Sequence, residues 1–267
     1  MKWVLNTYQT AQEWELDRII EVCLATGHTG IEFLQDFKQP HGLEADAPTE
    51  HVLGVKEKMQ AANLITASLT SCCHFHDPEE VDRQRNIAQV KRVIEQAVLM
   101  GCDHVRVLGD YLPDDDERAR ETILENVAAA LRTLGDYAKP KGVTVSIEQH
   151  WCFTDPLLVT RVVKEANRPN VGIVFNSQWR VGAEKGWSLP PGASSIAPLY
   201  DLIAPYITSV HTHQMEQPDV WRYYQELFRL LVRDGYQGCV SNECAYLGPD
   251  PEKVLRLYTA LFQALTS

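Results

Sequence analysis

Four polar side chains stand where apolar runs stop. Glu148 ends the stretch VTVSIE, Asn176 ends VGIVFN, His211 lies in SVHTHQ and Glu243 in VSNEC. A charged group closing such a run is costly in a core unless it is paired or bound to a cation. Two carboxylates, one imidazole and one amide oxygen form a mixed nitrogen and oxygen donor set. It suits Mn2+, Mg2+, Co2+ or Zn2+ and lacks the thiolates of a soft-metal site. Each residue alone is equally well explained as a hydrogen-bonding partner, and Asn176 alone as a turn residue. The joint occurrence of Glu148, His211 and Glu243 is what points to a site.

Further residues fall near the same strand ends. His150 and His213 each follow one of the four at a two-residue spacing, and Glu32 lies in GIEFL. His74 and His76 form an H-x-H pair in SCCHFHD, and alternate residues of an extended segment send both rings to one side. A second cation there would want more histidine ligands than the sequence offers, so contacts to substrate hydroxyls are the expectation for His74. Trp151 and Trp179 would supply flat apolar walls to a ring-shaped ligand, or pack beneath a loop. His150, His213, Trp151, Trp179, His74 and Glu32 are thus the expected substrate-binding residues.

Distant residues must be brought together by the fold. Short β-rich runs are expected over residues 3–6, 30–34, 65–70, 104–108, 143–148, 171–175, 207–211 and 238–243. Helical patterns follow over about 13–26, 49–62, 78–100, 116–138, from 155 onward, 220–234 and 251–265. Alternation of this kind signals a parallel α/β fold. Eight strand-led units in 267 residues, seven with a helical pattern after the strand, match a (β/α)8 TIM barrel forming a single domain over 1–267. Its strand ends converge on one mouth. An open doubly wound sheet would want a Gly-rich phosphate turn after an early strand, and LNTYQT has none. The Gly/Pro-rich stretch 177–197 interrupts the rhythm and is expected to lie over the mouth as a binding loop.

Composition narrows the function classes. The formal net charge is −11 and no Lys/Arg run occurs, which argues against nucleic acid and anionic membranes as partners. No apolar run approaches the ~20 residues of a membrane span, and MKWVLNTYQT lacks a signal-peptide apolar region. A cytoplasmic protein is expected. Seven cysteines without a C-x-x-C spacing read as reduced thiols. A homo-oligomer is compatible with the aromatic content of the long loop.

The segments GIEFL, AVLMGCDHVRV, KGVTVSIEQH, VGIVFN and SVHTHQ, in this order, resemble the xylose isomerase-like TIM barrel superfamily, the sugar phosphate isomerase/epimerase group. The resemblance covers nearly the whole chain. It implies one divalent metal ion held by Glu148, Asn176, His211 and Glu243, with Glu148 and Glu243 also moving the proton on a carbon beside a carbonyl. The group's pattern has Asp where Asn176 stands, often continued as Asp-x-x-His, where this chain has Trp179. The protein part of the site is therefore less negative by one charge. No phosphate-binding turn follows the last two strands, so a free sugar, cyclitol or small hydroxy-keto acid is expected rather than a sugar phosphate. The expected activity is a metal-dependent isomerase or epimerase of a small polyhydroxy carbonyl compound. The alternatives are a dehydratase of a cyclic keto-polyol, with His150 or His213 as the acid, and a sugar-binding barrel without catalysis.

Overall fold

In the computed structural model, residues 1–177, 189, 193–244 and 248–267 are described. Eight parallel strands close on themselves: β1 (Lys2–Asn6), β2 (Gly30–Leu34), β3 (Ile65–Thr70), β4 (His104–Leu108), β5 (Thr144–Glu148), β6 (Val171–Asn176), β7 (Ile207–Thr212) and β8 (Cys239–Asn242). Each pairs with its sequence neighbour, and β1 with β8 closes the barrel. The expected strands are all present, with ends shifted by one residue at most. Glu243 lies just beyond β8 rather than within it.

Helices return the chain after each strand. Those at Leu16–Thr26 and Glu80–Met100 end on left-handed glycines, Gly27 and Gly101, at φ 81° and 72°. Only glycine takes that conformation freely, and there it closes the C-terminal hydrogen bonds. Asp116, Asp155 and Asp250 each cap a helix start by accepting a backbone N–H. The apolar faces of these helices pack on the outward side chains of the strands, such as Val105, Val107, Val145 and Ile147, which are fully buried. Of the long stretch over 177–197, most, including Trp179, lies outside the described residues. A short helix at Ala197–Ile203 follows it.

The barrel interior is polar in two layers. The lower layer holds His104, whose Nδ1 is 3.0 Å from Ser68 Oγ and whose Nε2 is 2.8 Å from Ser146 Oγ, with Thr208 Oγ1 2.7 Å from Ser146 Oγ. The upper layer holds Glu32, Arg106, Glu148 and His211. Strict alternation would send Thr208 and His211, three residues apart, to opposite faces. A register shift between Ile173 and Val174 inserts one extra residue into β7 and turns both inward. A similar shift in β3 pairs Glu32 with Ser68.

His104 makes stability depend on pH. Burial lowers its pKa from its ordinary value near 6.5 to about 4. The unfolded chain binds the proton at the ordinary pKa, so stability is complete above about pH 6.5 and declines as pH falls toward 4. That gap corresponds to about 3 kcal/mol. His28 and His41, lowered by burial to about 3 and about 4, act in the same direction. Urea midpoints at pH 7 and pH 4.5 are expected to show a large drop, and His104→Gln a smaller one.

The seven cysteines are free, as expected, although Cys72, Cys152 and Cys239 are only partly buried. Burial pushes the thiols of Cys72 and Cys73 up to about 12 and about 11, which makes them inert at neutral pH. Among the described residues no helix is long and apolar enough to cross a membrane.

A candidate metal centre at the barrel mouth

His211 comes from β7 and is fully enclosed. Three carboxylates surround its ring. Nε2 is 2.9 Å from Glu32 Oε1, and Nδ1 is 3.2 Å from Glu148 Oε1 and 2.9 Å from Glu243 Oε2. These contacts are short but not aligned: both ring nitrogens and Glu243 Oε2 are buried without a hydrogen-bond partner. One N–H at Nδ1 cannot serve two carboxylate oxygens, so excess negative charge faces one small volume. Glu148, His211 and Glu243 each place a donor atom there, all within 4.8 Å of one another. A divalent cation fits this donor set.

Neighbouring groups hold the three in place. Arg106, buried on β4, sets its Nε 3.0 Å from Glu148 Oε2 and donates from its guanidinium to the Ser71 carbonyl at 3.1 Å. Asn6 at the end of β1 donates to Glu32 Oε1 at 2.8 Å. Glu32 thus backs the far nitrogen of His211 and is almost fully enclosed. Burial opposes the charge on Glu148, but the Arg106 guanidinium and the His211 imidazole hold its carboxyl well below the usual range. Burial likewise opposes a proton on His211, yet Glu32, Glu148 and Glu243 raise it well above its ordinary value.

Asn176 sits beside this cluster in a defined orientation. Its Nδ2 donates to Glu148 Oε1 at 2.7 Å, and its Oδ1 lies 2.6 Å from His213 Nε2. The oxygen is therefore engaged with His213, and the NH2 group faces the carboxylate. Pointing Oδ1 at Glu148 takes a half-turn of the amide, a repulsive arrangement that a cation between them would reverse. His213 is also buried, 3.8 Å from Glu243 Oε2, and its backbone N–H donates to Tyr224 Oη at 3.0 Å. Burial first, and His211 as well, lower its pKa.

The rim carries the other expected residues. His150 Nδ1 is 2.7 Å from Asp110 Oδ1. Burial opposes its charge, but Asp110 and Glu148 outweigh that and raise its pKa. Trp151 is 70% exposed and, like Asp110, has a positive φ (44° and 58°). Such backbone conformations are costly for non-glycine residues and gather at functional loops. His74 stands 3.6 Å from Asp110 Oδ2, so it belongs to the rim and not to the central cluster. The sequence reading missed Asp110, Asn6 and the pairing of Arg106 with Glu148. Arg106 alone carried a signal, as the one cation inside the apolar run HVRVL.

A closed parallel barrel with a buried Glu–His–Glu cluster at the C-terminal ends of its strands defines a class of mouth-centred TIM barrels with a candidate metal site. The chain belongs to the xylose isomerase-like TIM barrel family, which matches residues 20–260. Among solved structures it resembles 3-keto-D-glucoside 4-epimerase from E. coli, with a TM-score of 0.78 at 17% identity over 99% of both chains. D-psicose 3-epimerase from Clostridium cellulolyticum H10, solved with D-tagatose, gives 0.78 at 14% over 100% of both. An IOLI protein solved with a zinc atom gives 0.71 at 20%, over 100% of this chain and 96% of that one. No curated protein matches in sequence.

Proposed function

We propose that this barrel is a divalent-metal-dependent isomerase or epimerase of a small polyhydroxy carbonyl compound. The observation that carries the reading is the convergence of Glu148, His211 and Glu243, buried with donor atoms not aligned to one another. Glu148, His211 and Glu243 would hold the cation, and Asn176 would join them after its amide turns over. A bound divalent cation supplies Lewis-acid polarisation of a carbonyl and its neighbouring hydroxyl. The chain's own carboxylates then move the proton: one of Glu148 and Glu243 takes it from the carbon beside the carbonyl, and the other returns one from the opposite side. Arg106 keeps Glu148 ionised and in position, and Glu32 orients His211. The sugar epimerases among the structural neighbours support this substrate class.

The test is wash-in of solvent deuterium. The purified protein, stripped with chelator and reloaded with Mn2+, Co2+, Zn2+ or Mg2+, is incubated in D2O with a panel of ketoses, keto-glycosides and keto-cyclitols. Metal-dependent incorporation beside the carbonyl is expected for at least one compound. Binding without exchange in any metal form would leave a sugar-binding barrel as the better account. His150, held by Asp110 at the rim, favours a second reading, a dehydratase in which this imidazole protonates a leaving hydroxyl; an absorbing enone product would identify it.

Asn176 offers a further prediction. Asn176→Asp adds one negative charge beside Glu148 and removes an NH2 donor that competes for its oxygen. Divalent-metal affinity measured by calorimetry is expected to rise about 10-fold or more, on the scale of changes that neighbouring groups make to metal sites. An unchanged affinity would remove Asn176 from the ligand set.

A further inference from the structure

The loop leaving β3 carries a second group of donors that the central cluster does not use. His74, His76 and Asp77 are each partly buried, and one donor atom from each lies within 4.8 Å of the others. The two rings stack, with centroids 4.2 Å apart and planes 16° from parallel. The helix Glu80–Met100 fixes the loop beneath them. Asn86 Nδ2 donates to the His74 carbonyl at 2.8 Å and faces Asp77 Oδ2 at 3.4 Å, while Arg83 donates to the carbonyls of Asp77 and Pro78.

Each ring is held through its Nδ1. His74 Nδ1 lies 3.3 Å from the Cys72 carbonyl oxygen and 3.6 Å from Asp110 Oδ2. Two acceptors on that side place the ring proton at Nδ1 and leave Nε2 with a lone pair. That Nε2 faces Asp77 Oδ2 at 3.5 Å. A lone pair opposite a carboxylate is repulsive unless a proton or cation comes between them. His76 Nδ1 accepts the Tyr111 backbone N–H at 3.3 Å, so the proton of the neutral ring sits on Nε2. Cation binding at Nε2 would move the ring proton to Nδ1, at the cost of the Tyr111 bond.

We propose that His74, His76 and Asp77 form a second divalent-cation site, of the zinc class, separate from Glu148, His211 and Glu243. The two histidines alone offer too few ligands, but Asp77 supplies a third, and two imidazoles and a carboxylate suit Zn2+ or Co2+ and leave a fourth position open. A tetrahedral zinc with Zn–N near 2.0–2.1 Å sets its ligand atoms about 3.3 Å apart. Closing from within 4.8 Å requires the stacked rings to splay, which is cheap for side chains as accessible as His74 and Asp77, at 33% and 26%. Asp110 behind His74 is the carboxylate that fixes a ligand's tautomer and raises its basicity. The same Asp110 holds His150, so the second cation would sit one carboxylate away from the rim imidazole.

The test counts sites. The metal-free full-length protein is titrated calorimetrically with Zn2+, alongside the Glu148→Gln/Glu243→Gln and His74→Asn/His76→Asn double variants, with circular dichroism confirming each fold. Two equivalents are expected for the parent, and one for each variant. If the Glu variant binds as the parent does while the His variant loses one equivalent, the loop site stands and the central reading falls. A folded Glu variant that binds no zinc, or a His variant that still binds as the parent does, would overturn the loop site. Co2+ gives an independent readout: its visible bands should lose intensity in the His variant.

Discussion

Replacing Arg106 by methionine should destabilise the metal-free protein by about 3–5 kcal/mol, the loss typical of removing one partner of a buried ion pair. Arg106 is 5% exposed and is the guanidinium that faces Glu148 at 3.0 Å. Its charge also acts on Glu32, and it is itself stabilised by Glu148, Glu32 and Glu243. Without it, neutralisation of three enclosed carboxylates falls largely to the His211 imidazole. Two controls separate charge from packing. The double variant Arg106→Met/Glu148→Gln removes both members of the pair and should recover much of the loss, because no unpaired charge is left behind. A saturating divalent cation should stabilise Arg106→Met more than the parent, since it takes over neutralisation of Glu148. Urea unfolding of the parent, Arg106→Met, Glu148→Gln and the double variant, with and without Zn2+ or Mn2+, gives both comparisons. Equal losses in the single and double variants would mean that Arg106 contributes by packing its stem and not by pairing.

The barrel was legible because its signal is repetitive. Eight apolar runs, seven of them followed by a helical pattern, leave little freedom of architecture, and the run ends mark the mouth. Glu148, Asn176, His211 and Glu243 were legible as neighbours for that reason: each is polar where a strand stops. What escaped depends on registers and turns that periodicity does not encode. The extra residue in β7 brings Thr208 and His211 to the same side, against simple alternation. Asp110 follows β4 in an ordinary LGD sequence, and only its left-handed backbone aims it at His150 and His74. Glu32 was expected to meet substrate, yet Asn6 and His211 close over it, because β1 and β2 pair with Asn6 opposite Glu32. The orientation of Asn176 was likewise unreadable, since an amide presents either end and its neighbours decide which.

Glu148→Gln and Glu243→Gln should each reduce deuterium wash-in, from the epimer whose proton that carboxylate takes, by about 10²–10⁴-fold, the usual contribution of a positioned general acid or base. Glutamine keeps the shape and one acceptor oxygen but cannot take a proton at neutral pH. Both substitutions also remove a donor charge facing His211 Nδ1, so metal affinity falls as well, and the comparison belongs at saturating cation. His211 sharpens the affinity measurement. Its raised pKa means that the metal-free ring carries a proton at neutral pH, and a cation at Nδ1 must displace it. Metal binding is therefore expected to release a proton and to weaken as pH falls. The two carboxylates should be distinguishable once metal is saturating. If they flank the reacting carbon from opposite sides, each exchanges the proton of one epimer only. Glu148→Gln would then retain wash-in from one epimer, and Glu243→Gln from the other. Loss of exchange from both epimers in one variant and from neither in the second would assign all proton transfer to a single carboxylate. Arg106 argues against Glu148 as that carboxylate, because the guanidinium facing its second oxygen holds its carboxyl well below the usual range.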